Sequence, residues 1–452
     1  MSLQSLILVA LAAAPSNAFF LMPCWPITTQ RLDPLVSPGE ISSHVHQIIG
    51  GNAFAPTLTY NDTQAEDVCT TCFVKNDHSN YWIPSLYFQN ADGSFESVDQ
   101  VGSTSVYYFN EAARLGPNET MTPFPEGFRM LAGDPDKRTG GTDFADQAIN
   151  YKCLNYAGSP SDSKGFPNAD CPDGVRAEVT FPSCWDGVNL DSDDHKSHVA
   201  YPTETYQSGE CPSSHPVHLV TLLVEFIWDT HKFAGQWPNA DENPFVWSSG
   251  DPTGFGLHAD FIMGWDYELL SAAVEQCDDE FGVLANCAAF DGLLPPADEI
   301  YANPGTCTTK DYVNEDVSGT LSKLPGCNPV DSTGSASTQC NNDASINGTW
   351  PGESGGDASS SWAASGAPAG TGLGTDGRHT LTVWDIDTVT VYVTASAPGS
   401  SATAASGSQG EWKKREAAAE PEEDEAAIIK REAARVLHGH RQRHGRRSGG
   451  LW

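Results

Sequence analysis

Basic residues are scarce in this 452-residue chain, which has 24 Lys and Arg against 59 Asp and Glu and a formal net charge of −35. A surface with this charge repels phosphate groups, and this excludes generic binding to nucleic acid or to anionic membranes. We therefore expect no nucleic-acid partner. A neutral or cationic polysaccharide fits the charge better.

Long apolar runs are also missing, so the sequence predicts no membrane span. The one marked apolar stretch, residues 6–14, is short and precedes Pro15 and the small residues 16–18. This pattern is typical of a cleavable signal peptide, here residues 1–18, with a mature chain starting near Phe19. We expect a secreted monomer that is extracellular or associated with the cell wall.

Two common catalytic motifs do not occur. The chain has neither a Walker phosphate-binding loop nor a His-Glu-x-x-His zinc motif. Nucleotide hydrolysis and metalloprotease chemistry therefore lose their usual sequence support.

Cysteine, in contrast, is plentiful, and an even number in a secreted chain indicates disulfides. The twelve cysteines are residues 24, 69, 72, 153, 171, 184, 211, 277, 287, 307, 327 and 340. Their pairing cannot be deduced from spacing. The Cys69-x-x-Cys72 pair could serve redox chemistry or half a zinc site, but without a second close pair we expect structural disulfides. Asn-x-Ser/Thr sequons at Asn61, Asn118 and Asn347 predict a glycoprotein.

Short β-branched and aromatic runs, separated by Gly, Pro and Asp, predict a mainly β fold. The predicted strands are 81–88, 105–109, 175–181, 217–228 and 255–263. Residues 267–277 have apolar positions at helical spacing and predict a helix. We expect one β-sandwich or jelly-roll-like domain with long loops and disulfides.

The domain is predicted to span residues 19–310, and composition changes after it. Residues 311–410 are rich in Ser, Gly and Thr and predict a linker with one strand-like segment at 380–394. Residues 411–452 predict a charged, disordered tail. Its repeated Lys-Arg-Glu-Ala sequence, at 414–417 and 430–433, resembles dibasic processing sites.

Histidine is the main chemical signal. Nine of the 13 histidines fall between residues 44 and 258, in clusters with carboxylates. On a strand, residues two apart share a face, so His44 and His46 could bind one ion. Imidazole and carboxylate together suit a divalent metal such as zinc, copper, manganese or iron. The metal-ligand candidates are His44, His46, His195 and His258.

The same clusters supply candidates for acid–base catalysis, with or without a metal. These catalytic candidates are Asp194, His195, His198, His215, His258 and Asp260. Paired carboxylates can also cleave glycosidic bonds without an ion. For that alternative we consider Glu225 as well, because burial within its apolar run would raise its pKa.

Aromatic residues beside Pro, Gly and Asp could bind sugar rings by stacking, although packing in the core is the commoner fate of a Trp. The substrate-binding candidates are Tyr81, Trp82, Trp185 and Trp265.

Several ordered motifs resemble a fungal secreted family called domain of unknown function 1996. The first run is Ser37-Pro-Gly-Glu-Ile-Ser-Ser-His44-Val-His46, followed by Tyr81-Trp82-Ile-Pro84. Further matches are residues 181–198, 209–217 and 251–261. The chain departs from the usual pattern at His218, where an imidazole follows His215-Pro-Val.

The resemblance implies a secreted protein in a glycan-rich setting, with His44, His46, His195, His198, His215 and His258 as its recurrent histidines. It assigns no activity. Our leading hypothesis is a hydrolase or lyase of extracellular or cell-wall glycans, with these histidines, Asp194 and Asp260 around one centre. The alternative is a non-catalytic protein that binds cell wall, carbohydrate or metal.

Overall fold

The structure is a computed structural model that describes residues 19–239, 242–295, 307–326, 328–334 and 344–346. The predicted signal peptide, the segment 380–394, the tail and the sequon at Asn347 lie outside these residues.

Most of the regular secondary structure among the described residues is β-strand, so the prediction of a mainly β fold is confirmed. The first ten strands are β1 (Phe19–Cys24), β2 (Pro26–Gln30), β3 (His46–Gly50), β4 (Asn80–Pro84), β5 (Leu86–Gln89), β6 (Phe95–Ser97), β7 (Thr104–Phe109), β8 (Arg129–Gly133), β9 (Ile149–Cys153) and β10 (Ser161–Ser163). The others are β11 (Val175–Thr180), β12 (Cys184–Trp185), β13 (Val199–Ala200), β14 (Val217–His218), β15 (Thr221–Trp228), β16 (Phe245–Trp247), β17 (His258–Ile262), β18 (Val313–Asn314), β19 (Thr320–Leu321) and β20 (Ser345–Ile346).

Helices are few and short. The α-helices are α1 (Tyr60–Thr63), α2 (Phe144–Gln147) and α3 (Tyr267–Gln276), and single 3₁₀ turns occur at Ala112–Arg114, Thr230–Phe233, Leu284–Asn286 and Ala288–Phe290. The predicted helix at 267–277 is thus confirmed as α3, where the Asp266 side chain caps the first turn by accepting from Leu269 N. Among the described residues, no helix is both long and apolar enough to cross a membrane.

Two large antiparallel sheets share the main core. A six-stranded sheet has the order β1-β7-β15-β11-β9-β10, and a five-stranded sheet has the order β2-β3-β4-β17-β8. Their inner faces supply the main apolar cluster, and Tyr81 of one sheet hydrogen-bonds Tyr108 of the other at 2.6 Å. This is the sandwich arrangement that the alternating short strands predict.

The three central strands of the five-stranded sheet, β3, β4 and β17, are buried on both faces. On β4, Tyr81 and Ile83 face the main core, whereas Trp82 belongs to a second apolar cluster on the opposite face. Residues 31–58 supply Leu32, Phe54 and other members of this second cluster. The polar side chains of His46, His258 and Asp260 on that outer face are shielded from solvent.

The five predicted strand regions all contain strands, with breaks that the sequence pattern does not show. The run 81–88 is divided into β4 and β5, and 217–228 into β14 and β15. The described residues after 310 differ from the predicted linker, because they pack against the domain. Here β19 pairs with β6, and Tyr87 donates a hydrogen bond to Val317 O at 2.7 Å.

Disulfides join distant parts of the domain. The five pairs are Cys24–Cys72, Cys69–Cys307, Cys153–Cys171, Cys184–Cys211 and Cys277–Cys287. Cys69 and Cys72 are thus structural, as expected, but each bonds to a different partner. Cys327 and Cys340 lie outside the described residues.

Candidate metal centre

The outer face of the five-stranded sheet brings histidines together. His46 on β3 pairs with Pro84, and Asp260 on β17 pairs with Trp82, two residues before Pro84. Because side chains two apart on a strand share a face, His46, His258 and Asp260 all lie on this outer face. His44, just before β3, joins them from the segment that covers the sheet.

Three imidazoles converge at this point. One ring nitrogen from each of His44, His46 and His258 lies within 4.8 Å of the others. His44 Nε2 and His258 Nε2 are 3.0 Å apart. The three residues are between 0% and 7% exposed, so the cluster is almost completely buried.

Backbone carbonyls set the orientation of two of these rings. His46 Nδ1 is 3.1 Å from Leu32 O, and His258 Nδ1 is 2.9 Å from Gly256 O. A carbonyl oxygen only accepts, so each Nδ1 carries the proton and each Nε2 presents a lone pair. His46 Nε2 has no hydrogen-bond partner in the part of the chain that the structure describes. Histidines that bind metals are held in this way through their other ring nitrogen.

Burial keeps these imidazoles neutral. Desolvation is the largest cause in each case: it lowers the pKa of His46 to about 3, that of His258 to about 4, and that of His44 well below its ordinary value. Neutral imidazole is the form that binds a metal ion.

Two buried carboxyl groups accompany the histidines. Burial raises the pKa of Asp260 well above its ordinary value, and within the described ranges neither of its carboxyl oxygens has a hydrogen-bond partner. Asp33 accepts from Leu35 N and Val36 N at 3.0 Å, and burial raises its pKa to about 6. Trp82, opposite Asp260, has an unpaired Nε1–H.

A cavity of about 330 Å³ reaches two of the three imidazoles, His44 and His258. Asp33 and Arg138 line it, together with the hydroxyl side chains of Ser37, Ser42, Ser43 and Ser249. A ligand in this cavity would meet hydroxyls and carboxylates on its way to the histidine cluster.

A second cavity, of about 300 Å³, shares Leu131 with the first. Lys196 lines it and donates to Gly133 O at 2.7 Å, opposite His258 in the sheet. The ammonium group of Lys196 is among the charges that lower the pKa of His258.

The other predicted metal ligand, His195, is not in the cluster. Its Nδ1 lies 2.7 Å from Asp191 Oδ1, in a loop where His195 adopts a φ of 57°. Its backbone oxygen accepts from Leu131 N at the edge of the five-stranded sheet. His195 therefore lies near the cluster without contributing to it.

The remaining predicted catalytic residues have local structural contacts. Asp194 accepts from Ser197 N and Lys196 N, and these bonds hold its pKa well below the usual range. Both ring nitrogens of His198 are engaged, with Ser192 Oγ and with Arg129 O. His215 Nε2 lies 3.0 Å from Ser197 O. The six histidines of the sequence hypothesis thus do not form one centre; three of them do.

Three of the four predicted sugar-binding aromatics are core residues. Tyr81, Trp82 and Trp265 are completely buried, so they have no face for a sugar ring, and this part of the prediction does not fit the structure. Trp185 is half-buried and donates through Nε1 to Asn189 O. None of the four lines either cavity.

Glu225, the metal-free candidate, lies on the six-stranded sheet. Burial raises the pKa of Glu225 to about 7, which is the direction that its apolar run predicts. The positive charge of Arg176, 3.4 Å away, acts in the opposite direction and lowers this pKa. Glu225 lines neither cavity and also accepts from Tyr107 at 2.9 Å.

Sequence reasoning missed Asp33 and Arg31, whose Nη1 donates to Ser42 O, two residues before His44. Both belong to the run Arg31-Leu-Asp33-Pro, which lies 11 to 13 residues before the His44/His46 pair. The only feature of the sequence that could have indicated these residues is their proximity to the His44/His46 pair. A loop that folds back over a sheet has no periodic pattern. Two further groupings, around Cys184–Cys211 and Cys24–Cys72, are not metal sites since their cysteines are disulfide-bonded.

The fold and site define a mainly β, disulfide-braced domain with a buried three-histidine cluster. The chain belongs to the family described as "Domain of unknown function (DUF1996)", whose model matches residues 33–265. The matched region includes all three clustered histidines and Asp260. Neither the curated proteins nor the solved structures contain a match to this chain.

Proposed function

We propose that this protein is a secreted, metal-dependent enzyme, a hydrolase or lyase of extracellular or cell-wall glycans, with a divalent transition-metal ion bound by His44, His46 and His258. The observation that supports it is the convergence of three buried, neutral imidazoles. Packing alone does not account for an unpaired His46 Nε2 in the protein interior, where such a group costs stability.

The ligand set suits zinc or copper. Imidazole nitrogens bind these ions at about 2.0–2.1 Å, so two ligands on one ion lie about 3 Å apart or slightly more. The His44–His258 separation of 3.0 Å is close to that value. Three protein ligands leave a further coordination position for water or substrate, and a bound ion activates such a water for attack.

Asp260 is the neighbouring group best placed to orient that water. It lies two residues from His258 on the same face of β17, and neither of its oxygens has a hydrogen-bond partner among the described residues. In this proposal, Asp260 accepts a hydrogen bond from water at the centre.

The proposed substrate is a neutral or cationic polysaccharide. The hydroxyl and carboxylate groups of the cavity wall suit sugar hydroxyls, and the net charge of −35 disfavours highly anionic polymers. Five disulfides support secretion, since such bonds persist in oxidising compartments.

A non-catalytic metal-binding protein is the second candidate. It is favoured by the burial of the ligands, because His46 is 0% exposed and structural metal sites are closed to solvent. The cavity that reaches His44 and His258 favours the enzyme.

Metal analysis tests the centre. We expect purified protein, loaded with zinc or copper and dialysed, to retain about one equivalent of ion. His46→Ala should lose it, while His215→Ala, the control histidine outside the cluster, should keep it. Wild-type protein that retains no ion after loading would overturn the proposal.

A polysaccharide panel then separates the two candidate functions. The enzyme is supported if the metal-loaded protein releases reducing ends or unsaturated products, and if both a chelator and His46→Ala abolish the release. Stoichiometric metal without products from any glycan would support the non-catalytic candidate.

A further inference from the structure

His44 differs from the other two proposed ligands because it is not part of a strand. It lies in the irregular segment 31–45 between β2 and β3, whereas His46 and His258 lie on strands. Its position must therefore come from contacts with other parts of the chain.

A segment after the family-matched region covers this part of the molecule. We call residues 307–334, as far as they are described, the strap. Cys69–Cys307 attaches its start to the domain. The Gln30 side chain then donates to Lys310 O and accepts from Tyr312 N, at 2.9 and 2.7 Å.

A buried ion pair connects the strap to the residues before His44. Arg31 Nε lies 2.5 Å from Glu315 Oε2, and the Arg31 side chain is 1% exposed. Arg31 Nη1 donates to Ser42 O at 2.7 Å, and Ser42 N donates to Arg31 O at 3.0 Å. Glu315 is thus linked through Arg31 to the backbone of Ser42, two residues before His44.

A second connection reaches the next residue. Asn328 Nδ2 donates to Ser43 O at 2.8 Å. Ser43 Oγ lies 2.9 Å from His44 Nδ1, the ring nitrogen opposite the one that faces His258. Both residues preceding His44 are therefore held by the strap.

The strap also forms one wall of the cavity that reaches the histidines. Asn328, Pro329, Asp331 and Gly334 line it together with His44 and His258. A ligand approaching the centre would pass between these residues and the domain.

We propose that the strap completes the metal centre, with Glu315 and Asn328 as positioning residues that hold His44 through Arg31 and Ser43. This inference rests on the proposed function, because it assigns the strap a role in binding the ion. The same contacts, if they only stabilised the fold, would affect unfolding without affecting the ion.

The test compares Glu315→Gln and Asn328→Ala with Glu111→Gln. The control removes the charge of Glu111, whose ion pair with Arg114 at 2.5 Å is similarly shielded and lies outside both cavities. Zinc affinity is measured by competition with a chromophoric chelator, and the coordination of bound Cu²⁺ by electron paramagnetic resonance.

We expect the two strap variants to bind zinc about 10- to 100-fold more weakly, the usual effect of removing groups that orient a ligand, and to show altered Cu²⁺ spectra. Glu111→Gln should match wild type in both readouts, even if it unfolds at lower temperature. Asn328→Ala, a milder change at a half-buried side chain, keeps the test valid should Glu315→Gln fail to fold.

The outcomes separate the two proposals. If wild type binds zinc but both strap variants bind it equally well with unchanged spectra, the strap inference is wrong and the metal centre stands. If wild type binds neither metal, both proposals are wrong.

Discussion

Several of the buried polar atoms that have no hydrogen-bond partner among the described residues lie on one face of the five-stranded sheet. His46 Nε2, Trp82 Nε1 and both oxygens of Asp260 are buried there without hydrogen bonds. Each such atom gives up its hydrogen bonds to water on folding, at a cost of about 1–3 kcal/mol. Their grouping on one surface is the kind of arrangement that a bound ligand would account for, and it supports the proposed metal site.

A single residue away from the histidine cluster, Asp77, is expected to make the stability of the protein depend on pH. Burial raises its pKa from 3.8 to about 6, although Ser79 N and the Tyr81 hydroxyl donate to it. The folded state therefore binds a proton more tightly than the unfolded chain does. The stability from this proton is fully present below about pH 4 and is lost as the pH rises through 6.

We expect Asp77→Asn to remove this dependence, since an amide does not ionise: its oxygen can accept from Ser79 N, and its NH2 group can donate to the Tyr81 hydroxyl, whose own proton then goes to Tyr108. The variant should gain stability relative to wild type between pH 4 and pH 6, by as much as about 3 kcal/mol for a shift of two pKa units. Urea denaturation at several pH values measures it. A constant difference between the two proteins over this range would contradict the prediction.

Strands β8 and β17 show how an element controls the centre. Gly133 on β8 has a φ of 88° and pairs with His258 on β17. A Cβ at Gly133 would lie 2.4 Å from Leu257 O and 2.8 Å from His258 Cα. Only glycine lets the strands approach this closely at that conformation.

Gly133→Ala should destabilise the protein by about 2–4 kcal/mol, the sum of backbone strain and a clash with the strand that carries His258. It should also weaken metal binding. Gly93→Ala is the matched control, because Gly93 has a φ of 85° but nothing within 4 Å of the added Cβ. The control should lose only about 1–2 kcal/mol. Thermal and chemical denaturation measure both variants. If Gly133→Ala and Gly93→Ala lose the same stability, the close approach of the two strands is unimportant.

At the scale of the whole molecule, Cys69–Cys307 joins residues 238 apart in sequence. A cross-link over so long a loop restricts the unfolded chain strongly, which corresponds to about 3–5 kcal/mol of stability. The paired variant Cys69→Ala/Cys307→Ala should therefore lower the free energy of unfolding by that amount. It should also release the start of the strap.

Chemical denaturation of the two proteins measures the loss of stability, and zinc competition measures the effect on the strap. A change below about 1 kcal/mol would mean that other contacts restrain the two ends equally well, and the prediction would be wrong.

Local patterns in the sequence determine much of the molecule. Alternating and apolar runs identify the strands around residues 81–88, 175–181 and 217–228. Side chains alternate between the two faces of a strand, so the pattern of apolar residues shows which faces are buried. The four metal-ligand candidates taken from the sequence include all three members of the cluster, together with His195, because histidines near carboxylates are visible without a structure. The motifs that resemble the family lie within or close to the matched residues 33–265.

Tertiary structure alone decides which of these residues meet. His195, His198 and His215 are the same residue type as the clustered histidines, yet their rings contact Asp191, Arg129 O and Ser197 O instead of joining the cluster. Tyr81, Trp82 and Trp265 are buried because two sheets and a covering segment enclose them. The physical reason is that sequence spacing limits geometry only within a strand or a turn, whereas the centre joins residues 44, 46 and 258 through sheet pairing and long-range packing.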